Sequence, residues 1–146
     1  VKYFLLADID PNFSIIKETH EEFYGNLSNR MRYIVRSREM VTAKGGSATG
    51  TRGHATALVT EKFDGLVTTD ALYNLVPRRI NPYYLLFLFK QPVILNQVNM
   101  FTKGTIYKLI QKNDFEKIKI PRLKSSVEQQ IVNKMIHYLS VLQNKF

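Results

Sequence analysis

Cysteine is absent from this chain of 146 residues, which excludes disulfide bonds and metal sites built from thiolates. Long apolar runs are absent too: the longest, residues 83–89, falls far short of the ~18 residues that a membrane-spanning helix needs. The first residues carry neither the basic segment nor the apolar core of a signal peptide. We therefore expect a soluble protein of the cytoplasm with no membrane partner.

Negative charge is scarce and unevenly placed. The chain has 21 Lys and Arg against 12 Asp and Glu, a net charge of +9. Residues 1–24 hold five carboxylates and only two cations, whereas residues 25–60 hold six cations against Glu39 alone. From residue 101 onward, nine cations face three acids. This basic bias predicts a polyanion partner, with an ordinary solvated surface as the alternative interpretation.

Signals for catalysis are weak. The spacing from Gly45 to Thr51 matches a phosphate-binding P-loop, but the Lys before the hydroxyl residue is missing and the segment is expected to join two strands. Residues 81–84 (NPYY) resemble the motif of amino-group methyltransferases without its second Pro, and N-capping of a helix explains them. The three histidines are too scattered to indicate a metal site or a triad: His20, His54 and His137. We predict no catalytic residue, metal ligand or cofactor site here.

The pattern of apolar and turn residues predicts an α+β fold. Asn81 and Pro82 are typical of a helix start, and the helix that follows is apolar nearly all round, so we expect it in the core. A glycine-rich loop, residues 45–53, is expected to join two strands. The predicted strands fall at residues 2–6, 31–35, 40–43, 55–60, 71–76, 105–109 and 117–120. The architecture is a mixed, β-rich domain followed by a long C-terminal amphipathic helix.

The C-terminal helix has its own start signal and apolar face. Ser125 and Glu128 have the spacing of a capping box, in which each side chain satisfies a backbone N–H of the first turn. Apolar residues then recur at intervals of three and four, which predicts a helix of about 20 residues with a continuous apolar stripe. We expect this stripe to be uncovered by the rest of the chain and to dock on a partner; its residues are Val132, Met135, Leu139 and Leu142.

The order of several segments resembles the specificity subunits of type I restriction-modification systems. The exit into the helix, residues 118–131 (IKIPRLKSSVEQQI), is the clearest match, and residues 36–46, 81–89, 101–109 and 114–118 match other family elements in order. Some positions depart from the pattern: Arg38-Glu39 stands where Gly-Asp is common, and Arg122-Leu123 replaces a frequent second Pro. The usual opening segment and the second half-repeat are expected to lie outside this sequence.

The resemblance implies a function and a set of partners. Residues 1–122 would be a DNA target recognition domain that lacks its N-terminal segment, and residues 123–146 a spacer or dimerisation helix. Such a domain reads one half of a bipartite site in double-stranded DNA, without catalysis, in a prokaryotic cytoplasm. The helix would pair with a second recognition domain or a second copy as an antiparallel coiled coil. Modification subunits would supply S-adenosylmethionine, and ATP and Mg would belong to the other partner subunits.

The candidate DNA-binding residues come from three segments. Glycines let a backbone approach DNA closely, short polar side chains hold phosphates, and Arg, Asn and Gln can pair with base edges. The first segment is the glycine-rich loop, the second precedes the helix at residue 82, and the third lies before Gly104. The residues are Lys44, Ser47, Thr49, Thr51, Arg52 and His54; Arg78 and Arg79; and Asn96, Gln97, Asn99 and Lys103.

Two alternatives stay open from the sequence alone. The chain is either the recognition portion or a fragment of a DNA adenine methyltransferase, if residues 81–84 form its motif, or a basic, non-enzymatic interaction module that dimerises through its C-terminal helix.

Overall fold

The structure is a computed structural model that describes residues 1–144. The strands are β1 (Lys2–Phe4), β2 (Ile9–Asp10), β3 (Ile15–Ile16), β4 (His20–Glu21), β5 (Met31–Ile34), β6 (Met40–Ala43), β7 (Thr56–Leu58), β8 (Val67–Thr69) and β9 (Leu72–Leu75). The helices are α1 (Pro82–Leu88), α2 (Pro92–Phe101), α3 (Lys112–Phe115) and α4 (Ser125–Gln143). None of the helices in this part of the chain is long and apolar enough to cross a membrane.

The strands form two main sheets and one small hairpin. The four-stranded sheet has the order β4-β1-β8-β5, with β1 and β8 parallel and the other pairs antiparallel. The three-stranded sheet has the order β7-β6-β9 and is antiparallel throughout. Strands β2 and β3 pair with each other. In the three-stranded sheet Ala43 pairs with Leu72 and Met40 with Leu75, so β6 and β9 end at opposite ends of the sheet.

Strand β6 lies between two apolar cores. Its four residues are all buried, as expected for a central strand covered on both faces. Because side chains alternate along a strand, Met40 enters the core under the helices while Val41 enters the core beside the four-stranded sheet. The side chains of the neighbouring strand β7 alternate in the same way. Leu58 enters the core under the helices, called the first core, and Ala57 enters the core beside the four-stranded sheet, called the second core.

Helix α1 is buried as predicted. Asn81 caps it: its side-chain oxygen accepts a hydrogen bond from the Tyr83 N–H at 2.9 Å, and Pro82 occupies the first turn. The Tyr84 ring is fully buried in the first core, and its hydroxyl donates to the Pro121 carbonyl at 2.7 Å. The phenol therefore keeps a partner for its polar end while the ring fills the core.

Helix α4 packs against its own domain, so the expectation of an uncovered apolar stripe is wrong. Val132 and Leu139 belong to the first core with α1, Leu142 is buried, and Met135 is partly buried against the same core. Burying a side chain of this size contributes about 1.5–3 kcal/mol. Residues 145–146 of the predicted helical segment lie outside the described residues, and the predicted boundary at residues 122–123 stays a prediction.

The predicted capping box of α4 is also wrong in detail. The N-cap is Lys124 and no side chain caps it, while Ser125 is already helical. Glu128 instead accepts hydrogen bonds from Arg122 at 2.8 and 3.0 Å and from the Leu123 N–H at 2.8 Å. The carboxylate still binds the segment that leads into the helix, but its partners are Arg122 and Leu123, whereas the predicted box requires the Ser125 N–H.

Two predicted strands are not formed. Residues 105–109 make a bend, with isolated bridges from Leu109 to Lys103 and Gly45. Residues 117–120 are irregular because the Lys119 backbone pairs with the side chain of Gln97 instead of a strand, at 2.8 and 2.9 Å. Helix α2 occupies residues for which no helix is predicted from the sequence.

Candidate nucleic-acid interface

The connection between β6 and β7, residues 44–55, is an ordered loop and is called the Gly loop below. His54, inside it, is only 1% exposed. Its Nδ1 accepts a hydrogen bond from the Gly50 N–H at 3.1 Å, and its Nε2 lies 2.9 Å from the Thr42 hydroxyl. Since Nδ1 is an acceptor, Nε2 carries the proton and donates to Thr42. The imidazole therefore ties the loop to β6.

This arrangement requires a neutral imidazole. Burial, with a smaller contribution from the charge of Lys90, lowers the pKa of His54 to about 4. A second proton on Nδ1 would face the Gly50 N–H, a donor facing a donor. His54 thus supports the loop from inside, and the prediction that it contacts DNA is wrong.

Thr49 and Thr51 also hold the loop together. The Thr49 hydroxyl, on a residue that is 1% exposed, donates to the Gly46 carbonyl at 2.7 Å. The Thr51 hydroxyl donates to the Ala48 carbonyl at 2.7 Å and accepts from the Gly53 N–H at 3.2 Å. Thr49 is therefore excluded as a DNA contact, whereas Thr51 stays exposed. The loop presents the exposed side chains of Ser47, Thr51 and Arg52.

A second loop, residues 103–109, lies against the Gly loop and is called the finger loop below. Lys103 and Leu109 exchange two backbone hydrogen bonds of 2.9 Å, which close its base. The Gly46 N–H donates to the Lys108 carbonyl at 2.9 Å, and the Ile110 N–H donates to the Lys44 carbonyl at 2.8 Å. These long-range bonds join two segments about 60 residues apart in the chain into one surface.

The end of α2 completes that surface. Gly50 has φ +74°, and a Cβ built on it would lie 2.6 Å from the Asn99 Cα. A glycine is therefore required for the Gly loop to approach α2 so closely. Asn96 and Asn99 are exposed on α2, and Lys103 is exposed with its ammonium 3.6 Å from Asp114.

Two arginines that the sequence did not place in the site extend its basic charge. The Lys44 backbone N–H donates to the Ala71 carbonyl, beside Asp70, and the Lys44 ammonium lies 5.0 Å from the centre of the Tyr73 ring. Arg30, just before β5, forms an ion pair with Asp70 at 2.9 Å. The pKa of Asp70 is lowered mainly by its hydrogen bond from Arg30 and to a smaller extent by the charge of Arg32. Arg30, Arg32 and Lys44 therefore share one end of the fold with the Gly loop.

Other predicted site residues lie elsewhere. The side chain of Gln97 is occupied by the Lys119 backbone and the Val93 carbonyl, so its prediction as a base reader is wrong. Arg78 and Arg79 are exposed but follow β9, at the end of the three-stranded sheet opposite to the Gly loop. The three predicted sets thus do not form one surface: the first and third meet, and the second does not.

The motif at residues 81–84 has structural roles. The Asn81 side chain caps α1, and the Tyr84 hydroxyl bonds to Pro121 inside the core. Both polar groups are thus engaged within the chain, which favours the capping interpretation.

One group of possible metal ligands occurs among residues 1–144, formed by Asp8, Glu18 and His20. Their ligand atoms lie within 4.8 Å of one another. However, His20 Nε2 lies 3.0 Å from both carboxylate oxygens of Asp8, and Asp8 also accepts the Leu5 N–H at 2.7 Å. Asp8 and His20 are hydrogen-bond partners of each other, and His20 lies in the edge strand β4.

Comparison with known proteins identifies the fold. No protein-family profile and no curated protein sequence matches the chain. The crystal structure of the HsdS subunit from Thermoanaerobacter tengcongensis matches 98% of it, with a TM-score of 0.77 and 23% identity. A chain from work on complex assembly and conformational transition of the type I R-M system matches 99% of it, with a TM-score of 0.76 and 22% identity. This chain spans 36% of the length of each. The resemblance seen in the sequence is confirmed at the level of fold, as is the α+β architecture with its long C-terminal helix.

Proposed function

We propose that this chain is a DNA target recognition domain, followed by part of the spacer helix, of a type I specificity subunit. It binds one half-site of duplex DNA and performs no catalysis itself. The observation that carries the proposal is the joining of the Gly loop, the finger loop and the end of α2 into one basic surface, on a fold shared with HsdS.

The distribution of charge supports a defined DNA-facing side. The four-stranded sheet has β4, with Glu21 and the nearby Glu22, at one edge and β5, with Arg32 and the nearby Arg30, at the other. Three strand spacings of ~4.8 Å separate these edges. Duplex DNA is therefore attracted to the β5 side and repelled from the β4 side, which orients the domain before any base is read.

The surface residues divide into two roles. Lys103, Lys108 and Arg30 suit phosphate contacts, because cations on the rim of a surface position the duplex without reading it. Arg52 suits a guanine edge and Asn99 an adenine edge, because each side chain can form two hydrogen bonds with its base at the same time. Among the described residues no ion pair holds Arg52, so its guanidinium is free to do this.

Helix α4 supports the scaffolding part of the proposal through a different face from the one predicted. The outer stripe, Val127, Ile131, Tyr138 and Val141, follows the spacing of a coiled-coil seam in which Lys134 takes the central position, with Ile131 partly buried at its border with the first core. The Tyr138 hydroxyl donates to the Phe13 carbonyl at 3.2 Å, so Tyr138 also contacts its own domain. Val127 is 39% and Val141 41% exposed, while the stripe that faces α1 is buried. We assign the outer stripe as the surface for a second recognition domain, a second copy or a modification subunit.

The test compares two arginines. Arg52→Ala removes a cation from the Gly loop, and Arg36→Ala removes one from the opposite end of β6, so both variants change the net charge equally. The duplex is selected from a randomised pool by the wild-type protein, and a scrambled duplex serves as its control. Fluorescence anisotropy at two salt concentrations measures both affinities.

We expect Arg52→Ala to weaken binding to the selected duplex by about 1–3 kcal/mol and binding to the scrambled duplex by less. Arg36→Ala should change neither beyond a small salt-dependent loss. Equal losses on both duplexes would make Arg52 a phosphate contact. Equal losses from both arginines, or salt-independent binding, would contradict the proposed surface.

A further inference from the structure

The tip of the finger loop exposes two large apolar side chains. Ile106 is 98% exposed and Tyr107 68% exposed, so most of their surface lies in water. Single exposed apolar residues are ordinary. Two consecutive ones at the tip of one loop are less so, because burial of apolar surface stabilises a protein by about 25 cal/mol for each Å² removed from water. Packing within the chain does not account for them, because neither belongs to the residues packed on the two cores.

Hydrogen bonds hold the base of the loop in place. Lys103 and Leu109 close its base by two hydrogen bonds. Gly104 has φ +101°, and a Cβ built there would lie 2.2 Å from the Tyr107 carbonyl oxygen, so the turn is tight and depends on glycine. The Lys108 carbonyl is held by Gly46. A rigid base loses little conformational entropy when its tip inserts into a ligand.

The surroundings of the tip are cationic. Lys103 and Lys108 flank it, Lys112 follows, and residues 101–113 contain no carboxylate. Arg52 belongs to the loop that the finger loop is bonded to. Asp114, 3.6 Å from the Lys103 ammonium, lies at the base of the loop and not at its tip. Duplex DNA offers both phosphates for the lysines and a base stack for the apolar tip.

We propose that Ile106 and Tyr107 form a wedge that enters a base step of the bound duplex and partly unstacks it. This rests on the proposed function, because it needs the basic surface to face DNA. Apolar side chains inserted between base steps unstack and kink duplexes in other DNA-binding proteins, and stacking on an aromatic ring offsets part of the unstacking cost. Because base steps differ in how easily they unstack, the wedge would favour DNA sequences with an easily deformed step at that position.

The chain contains no tryptophan, which gives a direct test. Tyr107→Trp places a single indole in the wedge. Tyr24→Trp places one on the acidic side of the fold, where Tyr24 is 81% exposed close to Glu22 in the chain. Each variant is titrated with the selected duplex. Fluorescence anisotropy measures binding, and tryptophan emission with and without acrylamide measures stacking.

We expect the duplex to quench the emission of the indole at position 107 and shield it from acrylamide, and to leave the indole at position 24 unchanged at equal saturation. Bound duplex with unchanged emission from position 107 would overturn the wedge and leave the proposed function standing. Absence of binding in both variants and in the wild type would overturn the proposed function, and the wedge with it. Shielding of position 107 without DNA, together with dimers in sedimentation, would identify a protein contact instead and also overturn the wedge.

A second measurement separates insertion from surface contact. Permanganate oxidises unstacked thymines, so wild-type protein should create a reactive thymine in the selected duplex. Ile106→Ser with Tyr107→Ser should remove that reactivity and weaken binding about tenfold, within the range for loss of a stacked base. The substituted side chains are exposed, and a thermal melt verifies that the fold is kept. Unchanged reactivity in this variant would overturn the wedge.

Discussion

At the scale of single residues, the Gly loop shows how one set of polar side chains divides between supporting a surface and forming it. His54 and Thr49 face inward and bond to the loop backbone, while Ser47 and Arg52 face outward. Their chemistry is similar in the sequence, and burial alone separates them. An inward-facing polar side chain would contribute to the proposed DNA binding only by keeping the loop in shape.

The neutral state of His54 predicts how stability depends on pH. Its folded pKa of about 4 lies below its unfolded value of 6.5, so the unfolded chain binds the proton first as the pH falls. This contribution is complete above pH 6.5 and is lost between pH 6.5 and about 4. The loss is on the order of 3 kcal/mol of unfolding free energy.

Denaturant unfolding between about pH 7 and pH 4 measures this loss, with His54→Gln as the control. The wild type should be the more stable protein at neutral pH, and the difference between the two should shrink as the pH falls. A difference that stays constant over this range would show that His54 does not titrate as its burial requires.

At the scale of elements, α4 carries two apolar stripes with different roles. The inner stripe packs on α1 and belongs to the core, and the outer stripe begins about a quarter turn away around the helix. A helix with two apolar stripes fits the proposal that it joins its own domain and a partner simultaneously.

The two stripes predict opposite mutational effects. Val127→Glu with Val141→Glu should abolish association through the helix and shift the melting temperature by only a few degrees, because both side chains are partly exposed. Leu139→Asp should unfold the domain, since a carboxylate would be buried without a partner in the first core.

Sedimentation velocity and thermal melts on the same samples separate these effects. Full association of the Val127 and Val141 variant with its partner would remove the outer stripe from the interface. A folded and stable Leu139→Asp variant would contradict the placement of the inner stripe in the core.

At the scale of the whole molecule, the Gly loop, the finger loop and the end of α2 meet on one surface, to which the proposal assigns DNA recognition. The methyltransferase interpretation depended on residues 81–84, whose side chains cap a helix and fill the core. We therefore predict that the purified chain binds no S-adenosylmethionine, transfers no methyl group to DNA and hydrolyses no ATP.

Isothermal titration calorimetry with S-adenosylmethionine tests the first part of this prediction, and a partner methyltransferase subunit serves as the positive control. Heat of binding that saturates at one site per chain would restore the methyltransferase alternative. Methyl transfer only after the partner is added is the expected behaviour of a recognition domain.

The sequence by itself determined the features that depend on neighbouring residues. Asn81 starts α1 by accepting a hydrogen bond from a backbone N–H of the first turn, and Pro82 fits there because it has no N–H to satisfy. The spacing of apolar residues by three and four positions after Ser125 determines the span of α4. Alternation and turn residues placed the hairpin of β6 and β7 around the Gly loop. Net charge and its bias indicated a polyanion partner. All of these signals act within a few residues or add over the chain.

The tertiary structure alone decided which of those features meet. The finger loop joins the Gly loop through the bonds of Gly46 and Ile110, across about 60 residues, and no local pattern encodes that pairing. Residues 117–120 lose their strand because the side chain of Gln97 takes their backbone bonds. The inner stripe of α4 finds α1 because burial of apolar area is non-directional and favours any surface within reach. Long-range contacts therefore decided which of the candidate residues named from the sequence share the proposed interface.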